Sequence, residues 1–258
     1  MRVSAVAANR TSKLAVSALS VRGTTVLTVG GLLDTTTYHA LRDTIIKAAL
    51  DEPAAVLIDV ARLRVPAPSA WVVFTSAHWH VCRWPEVPIL LVCEDVACRE
   101  TISRNGVTRY VPAFPTVEAA IDSLPGSGLH RYRRRARAQL PAMLTSPRRS
   151  RDLVTEWLTA WSQPDLIPVA KVVATAFVEN VLQHTDSRPV IRLEADGATV
   201  TVAVEDAGGG SVSLREKGKA NGAASGLRVV AALCRMWGTL PTPVGKTVWA
   251  VMGPENRL

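Results

Sequence analysis

The stretch VEDAGGG at residues 204–210 decides the fold class of the second half of the chain. It follows an alternating apolar run, so Asp206 should end a strand and be followed at once by a glycine-rich turn. A carboxylate in this place can accept a hydrogen bond from the exocyclic amino group of a nucleotide base. Glycines let the backbone approach a ligand without a Cβ clash. The alternative interpretation is a plain hairpin turn after a strand.

The residues on either side of this stretch predict three helices and four strands. In order, these are helix 147–161, helix 166–184, strands 190–195 and 199–204, helix 226–234, and strands near 238 and at 247–252. The two residues Asp196 and Gly197 predict a hairpin between the first two strands. Asn180, on the second helix, offers a neutral oxygen of the kind that binds the Mg²⁺ accompanying phosphates.

The first half of the chain alternates strands with helices, which is the pattern of an α/β domain. The predicted elements are strand 25–29, helix 35–50, strand 54–60, helix 69–81, strand 87–93, helix 95–105 and helix 116–124. Strands 54–60 and 87–93 are continuous apolar runs, which indicates burial on both faces. We expect Gly106 to end its helix in the left-handed conformation and Thr116 to cap the last helix. The chain is therefore predicted to be α/β, with two domains.

The segment after residue 124 separates the two halves and carries the excess positive charge. The sequence PGSG at 125–128 breaks the pattern, and eight arginines with no acidic residue lie between residues 126 and 151. The net charge of the chain is +8, so the remainder is neutral. We predict domains at 1–125 and 140–258, joined by a basic linker at 126–139. The arginines are interpreted as a solvated face, a contact for an acidic protein or a nucleic-acid contact, and the last is disfavoured because only Tyr132 could stack on a base.

Composition points to a cytoplasmic protein without a membrane partner. No apolar run reaches the roughly 18 residues that a membrane-spanning helix needs. Residues 1–13 lack the apolar core of a secretory signal. The four cysteines are unevenly spread along the chain, which favours reduced thiols over a disulfide framework.

The second half, about residues 140–252, resembles the anti-sigma-factor serine kinases of the histidine-kinase-like (GHKL) ATPase superfamily. The matching motifs are NVLQH at 180–184, DAGGG at 206–210, SGL at 225–227 and GKTVW at 245–249. The resemblance implies an α/β sandwich that holds ATP and Mg²⁺ between the helix of Asn180 and a lid at about 209–225. It assigns Mg²⁺ to Asn180, the adenine amino group to Asp206, the phosphates to a helix start at Gly226, and a further nucleotide contact to Thr247. The implied nucleotide-binding residues are Asn180, Asp206, Gly208, Gly210, Gly226, Leu227 and Thr247.

One position departs from the pattern of the kinases. They carry a glutamate, the general base, four residues before the asparagine, and this chain has Ala176 there. Glu179 points roughly 100° around the helix from Asn180, and Glu205 should face away from Asp206 on the strand. We therefore expect no catalytic residue, and the sequence favours nucleotide binding over phosphoryl transfer.

The first half, about residues 14–124, resembles a STAS domain of the anti-sigma-factor-antagonist type. The resemblance rests on GLLD at 31–34 before a helix, the buried strand 56–59, and a serine-led helix after a short loop. Antagonists usually show Asp-Ser-Ser-Gly at that helix start, with the second serine phosphorylated, and this chain has APSA at 67–70. Ser69 is thus the candidate phosphoacceptor. The alternative interpretation is that Ser69 only caps the helix.

Together, the two resemblances imply a bacterial regulator of sigma-factor activity that works by partner switching. In such systems the kinase domain binds either a sigma factor or the STAS protein, and phosphorylation of the serine switches the choice. The expected partners are a sigma factor or STAS and anti-sigma proteins, without direct nucleic-acid binding, and a homodimer is allowed. The alternative is an active serine/threonine kinase that phosphorylates Ser69 or a separate STAS protein.

Overall fold

The computed structural model of the chain describes residues 14–124, 133–207 and 223–257. The chain is a mixed α/β protein that divides into two compact units, Met1–Gly128 and Leu129–Leu258. Each unit has a five-stranded sheet of its own. The predictions for Gly208, Gly210 and most of the lid lie outside the described residues. Among those residues, no helix has both the length and the apolar character needed to cross a membrane.

The first unit has a mostly parallel sheet with the strand order β1-β2-β3-β4-β5. Its strands are β1 Leu14–Val21, β2 Thr24–Leu32, β3 Val56–Arg64, β4 Ile89–Val92 and β5 Ala113–Phe114. Its helices are α1 Tyr38–Leu50, α2 Val72–Val81, α3 Val96–Arg104 and α4 Val117–Asp122. The first two strands form an antiparallel hairpin, and the strands from β2 to β5 run parallel. Parallel neighbours need crossover connections, and the helices supply them.

The two central strands of this sheet are buried on both faces, as the sequence predicts. Leu57 and Leu90 pack in a cluster that includes Ala120 of α4. Ile58 and Leu91 come next on each strand, so they face the opposite side, and they too are fully buried. The carboxyl ends of β2 and β3 are therefore held rigidly next to each other.

The predicted helix ends of this unit are confirmed at two places. Gly106 has a φ of 74°, the left-handed conformation that glycine adopts without strain. The Thr116 hydroxyl accepts a hydrogen bond from the Ala119 N–H at 3.1 Å and so caps α4.

Helix α2 begins later than predicted, and Ser69 does not cap it. A 3₁₀ turn at Pro68–Trp71 comes first, its N-cap residue is Ala67, and no side chain caps the turn. The physical reason is Pro68, whose fixed φ and missing N–H suit the first position of a helical turn. Ser69 thus lies inside a tight turn at the end of the loop that follows β3.

The second unit has an antiparallel sheet with the strand order β6-β7-β8-β10-β9. Its strands are β6 Arg134–Gln139, β7 Val190–Asp196, β8 Thr199–Asp206, β9 Met236–Thr242 and β10 Gly245–Met252. Its helices are α5 Ser146–Ala160, α6 Ile167–His184 and α7 Ala223–Leu233. The predicted hairpin between β7 and β8 is confirmed, with Gly197 at a φ of 61° in the turn.

The helices of this unit pack on one face of its sheet. Alternate strand residues such as Leu193, Val202 and Val248 share a buried cluster with Val173 and Phe177 of α6. Because strand side chains alternate between faces, Asp206 belongs to this helix-covered face. Glu205, Arg192 and Thr247 belong to the opposite face.

The second part of the predicted basic linker is a strand instead. Residues 134–139 form β6, which pairs with β7 along its whole length. Every second residue of β6 is an arginine facing acidic partners: Arg137 and Arg192 each place Nη2 3.1 Å from Oε2 of Glu205. The preceding Arg133 lies 3.0 Å from Oε1 of Glu194. The acidic surface that these arginines meet is therefore the sheet of the same unit.

Candidate functional site

A pocket of about 410 Å³ lies where the loops after β2 and β3 meet. Residues from Leu33 to His39 form one side, and residues from Pro66 to Ala70 form the other. The two strands are parallel neighbours, so their following loops lie at the same edge of the sheet. The volume is within the range of small-ligand and side-chain binding pockets.

Ser69 lies on the rim of this pocket and is exposed. Its hydroxyl makes no hydrogen bond to any residue that the structure describes. The neighbouring Ala67 and Pro68 are exposed as well, so the turn presents an accessible hydroxyl group to solvent. Such a group can be modified by an enzyme without local unfolding.

Asp34 gives the pocket a fixed negative charge. Its Oδ1 accepts hydrogen bonds from the hydroxyl of Thr36 at 2.6 Å, from the N–H of Thr36 at 2.9 Å and from the N–H of Thr37 at 3.2 Å. These hydrogen bonds, that of the Thr36 hydroxyl above all, lower the pKa of Asp34. The Thr37 hydroxyl donates in turn to the Leu32 carbonyl oxygen at 2.9 Å, which ties the loop to the end of β2.

In the second unit, α6 carries Ala176 and Asn180 one turn apart and thus on the same face. Both side chains are partly exposed, whereas Phe177 and Val178 between them are buried in the core. A Cβ placed on Gly226 would lie 3.6 Å from the Cβ of Ala176. Helix α7 therefore packs on α6 at the position where the kinases have their base, and a glutamate side chain would have little room there.

Asp206 lies at the end of β8 and is only 3% exposed. Its Oδ1 accepts a hydrogen bond from the hydroxyl of Ser187 at 2.8 Å, and Ser187 follows the C-terminal end of α6. Asn180 is four residues before that end, about 6 Å along the helix axis. The structure thus brings the predicted base-recognition and Mg²⁺ residues to the same end of α6.

The backbone beside Asp206 also leaves room that only glycine can occupy. A Cβ on Gly245, at the start of β10, would collide with the carbonyl oxygen of Asp206. The buried carboxylate, the helical amide and this close strand approach fit a nucleotide bound at the end of the sheet. When bound, Mg-ATP would supply an adenine amino group to Asp206 and a cation to Asn180.

Three predicted nucleotide contacts differ from expectation. Thr247 pairs with Glu205 across the strands, so its side chain belongs to the face opposite Asp206. Leu227 packs against the hydrophobic core. Gly226 is the fourth residue of α7 rather than its first. Each difference arises from strand register or helix length, which the motifs do not specify.

Two residues of this region were not predicted, namely Ser187 and Thr185. Their hydroxyl oxygens lie 2.9 Å apart, and the pair connects the end of α6 to Asp206. In the sequence they belong to the polar segment HTDSRP at 184–189, which has the composition of an ordinary loop.

Residues 15–120 match the family model described as STAS domain. An anti-sigma factor antagonist from Mycobacterium paratuberculosis has a similar structure, with 21% identity, a TM-score of 0.38, and coverage of 46% of this chain and 98% of that one. The RsbS protein of Moorella thermoacetica is 17% identical, with a TM-score of 0.36 and coverage of 42% and 93%. The antagonist SpoIIAA in its unphosphorylated form is 19% identical, with a TM-score of 0.34 and coverage of 42% and 94%. No curated protein matches the chain.

Proposed function

We propose that this chain, whose residues 15–120 form a STAS domain, regulates sigma-factor activity by partner switching. The STAS domain binds a sigma factor, an anti-sigma protein or another STAS protein at the edge that carries Ser69. The second unit binds Mg-ATP and responds to the nucleotide. The observation that carries the proposal is the exposed Ser69 on the rim of a pocket built by two adjacent strand ends.

The charge of the pocket supports Ser69 as the switch. A phosphate on Ser69 would add nearly two negative charges at neutral pH. Asp34 lines the same pocket, and its lowered pKa keeps it ionised there. Phosphorylation would therefore turn a pocket with one negative charge into a strongly anionic one. A partner that docks an apolar or acidic segment at this edge would be released.

The second unit is proposed to bind ATP without transferring phosphate rapidly. Asp206 and Asn180 at one end of α6 support the binding. A positioned base typically contributes about 10²–10⁴-fold to such a transfer, and Ala176 at the expected position packs against α7. The alternative of an active serine kinase therefore receives no support from α6.

Partner binding is tested with the full chain against purified sigma factors and anti-sigma proteins of its source organism, by biolayer interferometry. At least one should bind the unmodified chain and the Ser69→Ala variant, and Ser69→Glu should change that affinity by about tenfold or more, because like charges brought together across an interface are costly. Ser103→Glu, at an exposed serine outside the pocket, is the charge-matched control. Equal effects of the two glutamates would contradict the proposal.

Nucleotide binding is tested by the thermal unfolding of the full chain with and without Mg-ATP. A ligand that binds only the folded state raises the melting temperature. Asp206→Asn should remove this rise, because its NH₂ group would meet the adenine amino group as a second donor. Asp165→Asn, at an exposed aspartate in an ion pair with Arg257, should retain it. A chain that shows no rise at millimolar Mg-ATP would not be an ATP-binding protein.

A further inference from the structure

Ser187 is attached to both the helix and the carboxylate of the proposed nucleotide site. Its hydroxyl donates to Oδ1 of Asp206 at 2.8 Å. Its backbone N–H donates to the Thr185 hydroxyl at 3.3 Å. Thr185 also lies 3.0 Å from the carbonyl oxygen of Val181, in the last turn of α6. Ser187 is thus held by the helix end while it contacts the carboxylate.

The directions of these hydrogen bonds follow from the chemistry of the groups. An ionised carboxylate only accepts hydrogen bonds, so the single Ser187 hydroxyl proton points at Asp206. The Ser187 oxygen is then an acceptor for the Thr185 hydroxyl, 2.9 Å away. The relay fixes the rotamer of Ser187 and the plane of the Asp206 carboxylate. A carboxylate that is 3% exposed and oriented in this way presents its accepting lone pairs in one direction.

We propose that Ser187 is a positioning residue for base recognition, which orients Asp206 so that it accepts from the exocyclic amino group of adenine and rejects purines that lack it. This inference rests on the proposed binding of Mg-ATP. A site built to receive a hydrogen bond discriminates strongly against a ligand without the donor, because its own polar group is left unpaired. Ser187 therefore acts on the choice of base rather than on the phosphates.

The test is isothermal titration of the full chain with three magnesium-bound nucleotides: ATP, GTP and purine riboside triphosphate, which lacks the 6-amino group. The unmodified chain should prefer ATP over the purine analogue by about tenfold or more. Ser187→Ala should weaken ATP binding by about tenfold, the usual size of a hydrogen bond to a charged group. It should leave binding of the purine analogue within about twofold of the unmodified chain. Ser187→Thr, which keeps the hydroxyl, should restore the preference.

Ser150→Ala is the matched control, because Ser150 is a buried serine of the same unit whose hydroxyl donates to the Pro147 carbonyl oxygen at 2.8 Å. It should leave the ratio of the ATP and purine-analogue affinities unchanged. If the unmodified chain binds none of the nucleotides, the proposed ATP binding and this inference both fail. If it binds ATP but Ser187→Ala keeps the preference, or weakens both nucleotides equally, only the positioning role of Ser187 is overturned.

Discussion

At the residue scale, hydroxyl groups around two carboxylates decide how both candidate sites are built. Asp34 accepts from Thr36 and Thr37, and Asp206 accepts from Ser187. In each case, the donors come from a loop at the end of a strand or helix. Because a carboxylate has only acceptor positions, the donors determine its orientation. The two loops thus prepare their carboxylates before any partner or nucleotide arrives.

Removing the Thr36 hydroxyl should raise the pKa of Asp34 towards its ordinary value of about 3.9. In the unmodified chain the pKa of Asp34 is lowered in the folded state. Its stabilising contribution is therefore complete above the unfolded pKa and is lost as the pH falls through the folded pKa. The pKa is measured by NMR titration of the Asp34 carboxyl carbon in Thr36→Val, with Thr35→Val at the exposed neighbour as the control. An unchanged pKa in Thr36→Val would show that the hydroxyl is not its main cause.

Placing the missing glutamate at position 176 should destabilise the second unit instead of creating a kinase. Ala176 faces Gly226 at 3.6 Å for a built Cβ, and overpacking of this kind costs about 1–3 kcal/mol. Ala176→Glu is compared with Val172→Glu, one turn earlier on α6 at a residue that is 37% exposed. Urea unfolding should show the larger loss for Ala176→Glu, and mass spectrometry should show no phosphate on Ser69. A stable variant that phosphorylates Ser69 would mean that α7 leaves room for the base.

At the element scale, the sequence predicts the elements whose apolar pattern is long and misses those that depend on distant partners. Strands β3 and β4 and helix α6 were predicted from continuous or helical apolar spacing. Strand β1 was missed because most of its side chains are exposed. Strand β6 was missed because its arginines look solvated until Glu194 and Glu205, more than fifty residues away, are paired with them.

The same limit applies to the sites. Asn180, Asp206 and Ser69 belong to short motifs that can be recognised in the sequence. The side of the sheet that Thr247 faces depends on the register of β8 and β10, which is fixed by packing of the whole unit. Ser187 is identified only by the distance from its hydroxyl to Asp206.

The charges on the open face of the second sheet should contribute unequally to stability. Glu205 is 8% exposed at its side chain and meets two arginines, whereas the Arg137 side chain is 53% exposed. Glu205→Gln should cost about 3 kcal/mol because it leaves Arg192 buried without its counter-charge. Arg137→Gln should cost at most about 1 kcal/mol, as for an exposed ion pair. Chemical denaturation measures both, and equal losses would contradict this ranking.

At the scale of the whole molecule, the chain consists of two units with separate sheets and separate cores. Leu41 of α1 belongs to the first core, and Leu158 of α5 belongs to the second. The partner-binding edge and the nucleotide site therefore lie on different units. A regulator built in this way can change one site without rebuilding the core that holds the other.

Scanning calorimetry of the full chain should show two unfolding transitions. Leu41→Ala and Leu158→Ala remove fully buried side chains and should each lower one transition, at a cost of about 2–5 kcal/mol. Mg-ATP should raise only the transition that Leu158→Ala lowers. If both variants lower the same transition, the two units unfold as one.

The tight glycines at the end of the chain have a consequence for how its sequence can drift. A Cβ on Gly238 would lie 2.9 Å from the indole ring of Trp249, and Gly245 and Gly253 would collide with Asp206 and Arg235. Substitutions at these three places are disfavoured whatever the protein does, since each displaces a strand or a buried ring. The C-terminal hairpin should therefore diverge more slowly than the rest of the second unit. Remote relatives of that unit would be recognised first by the spacing of these glycines.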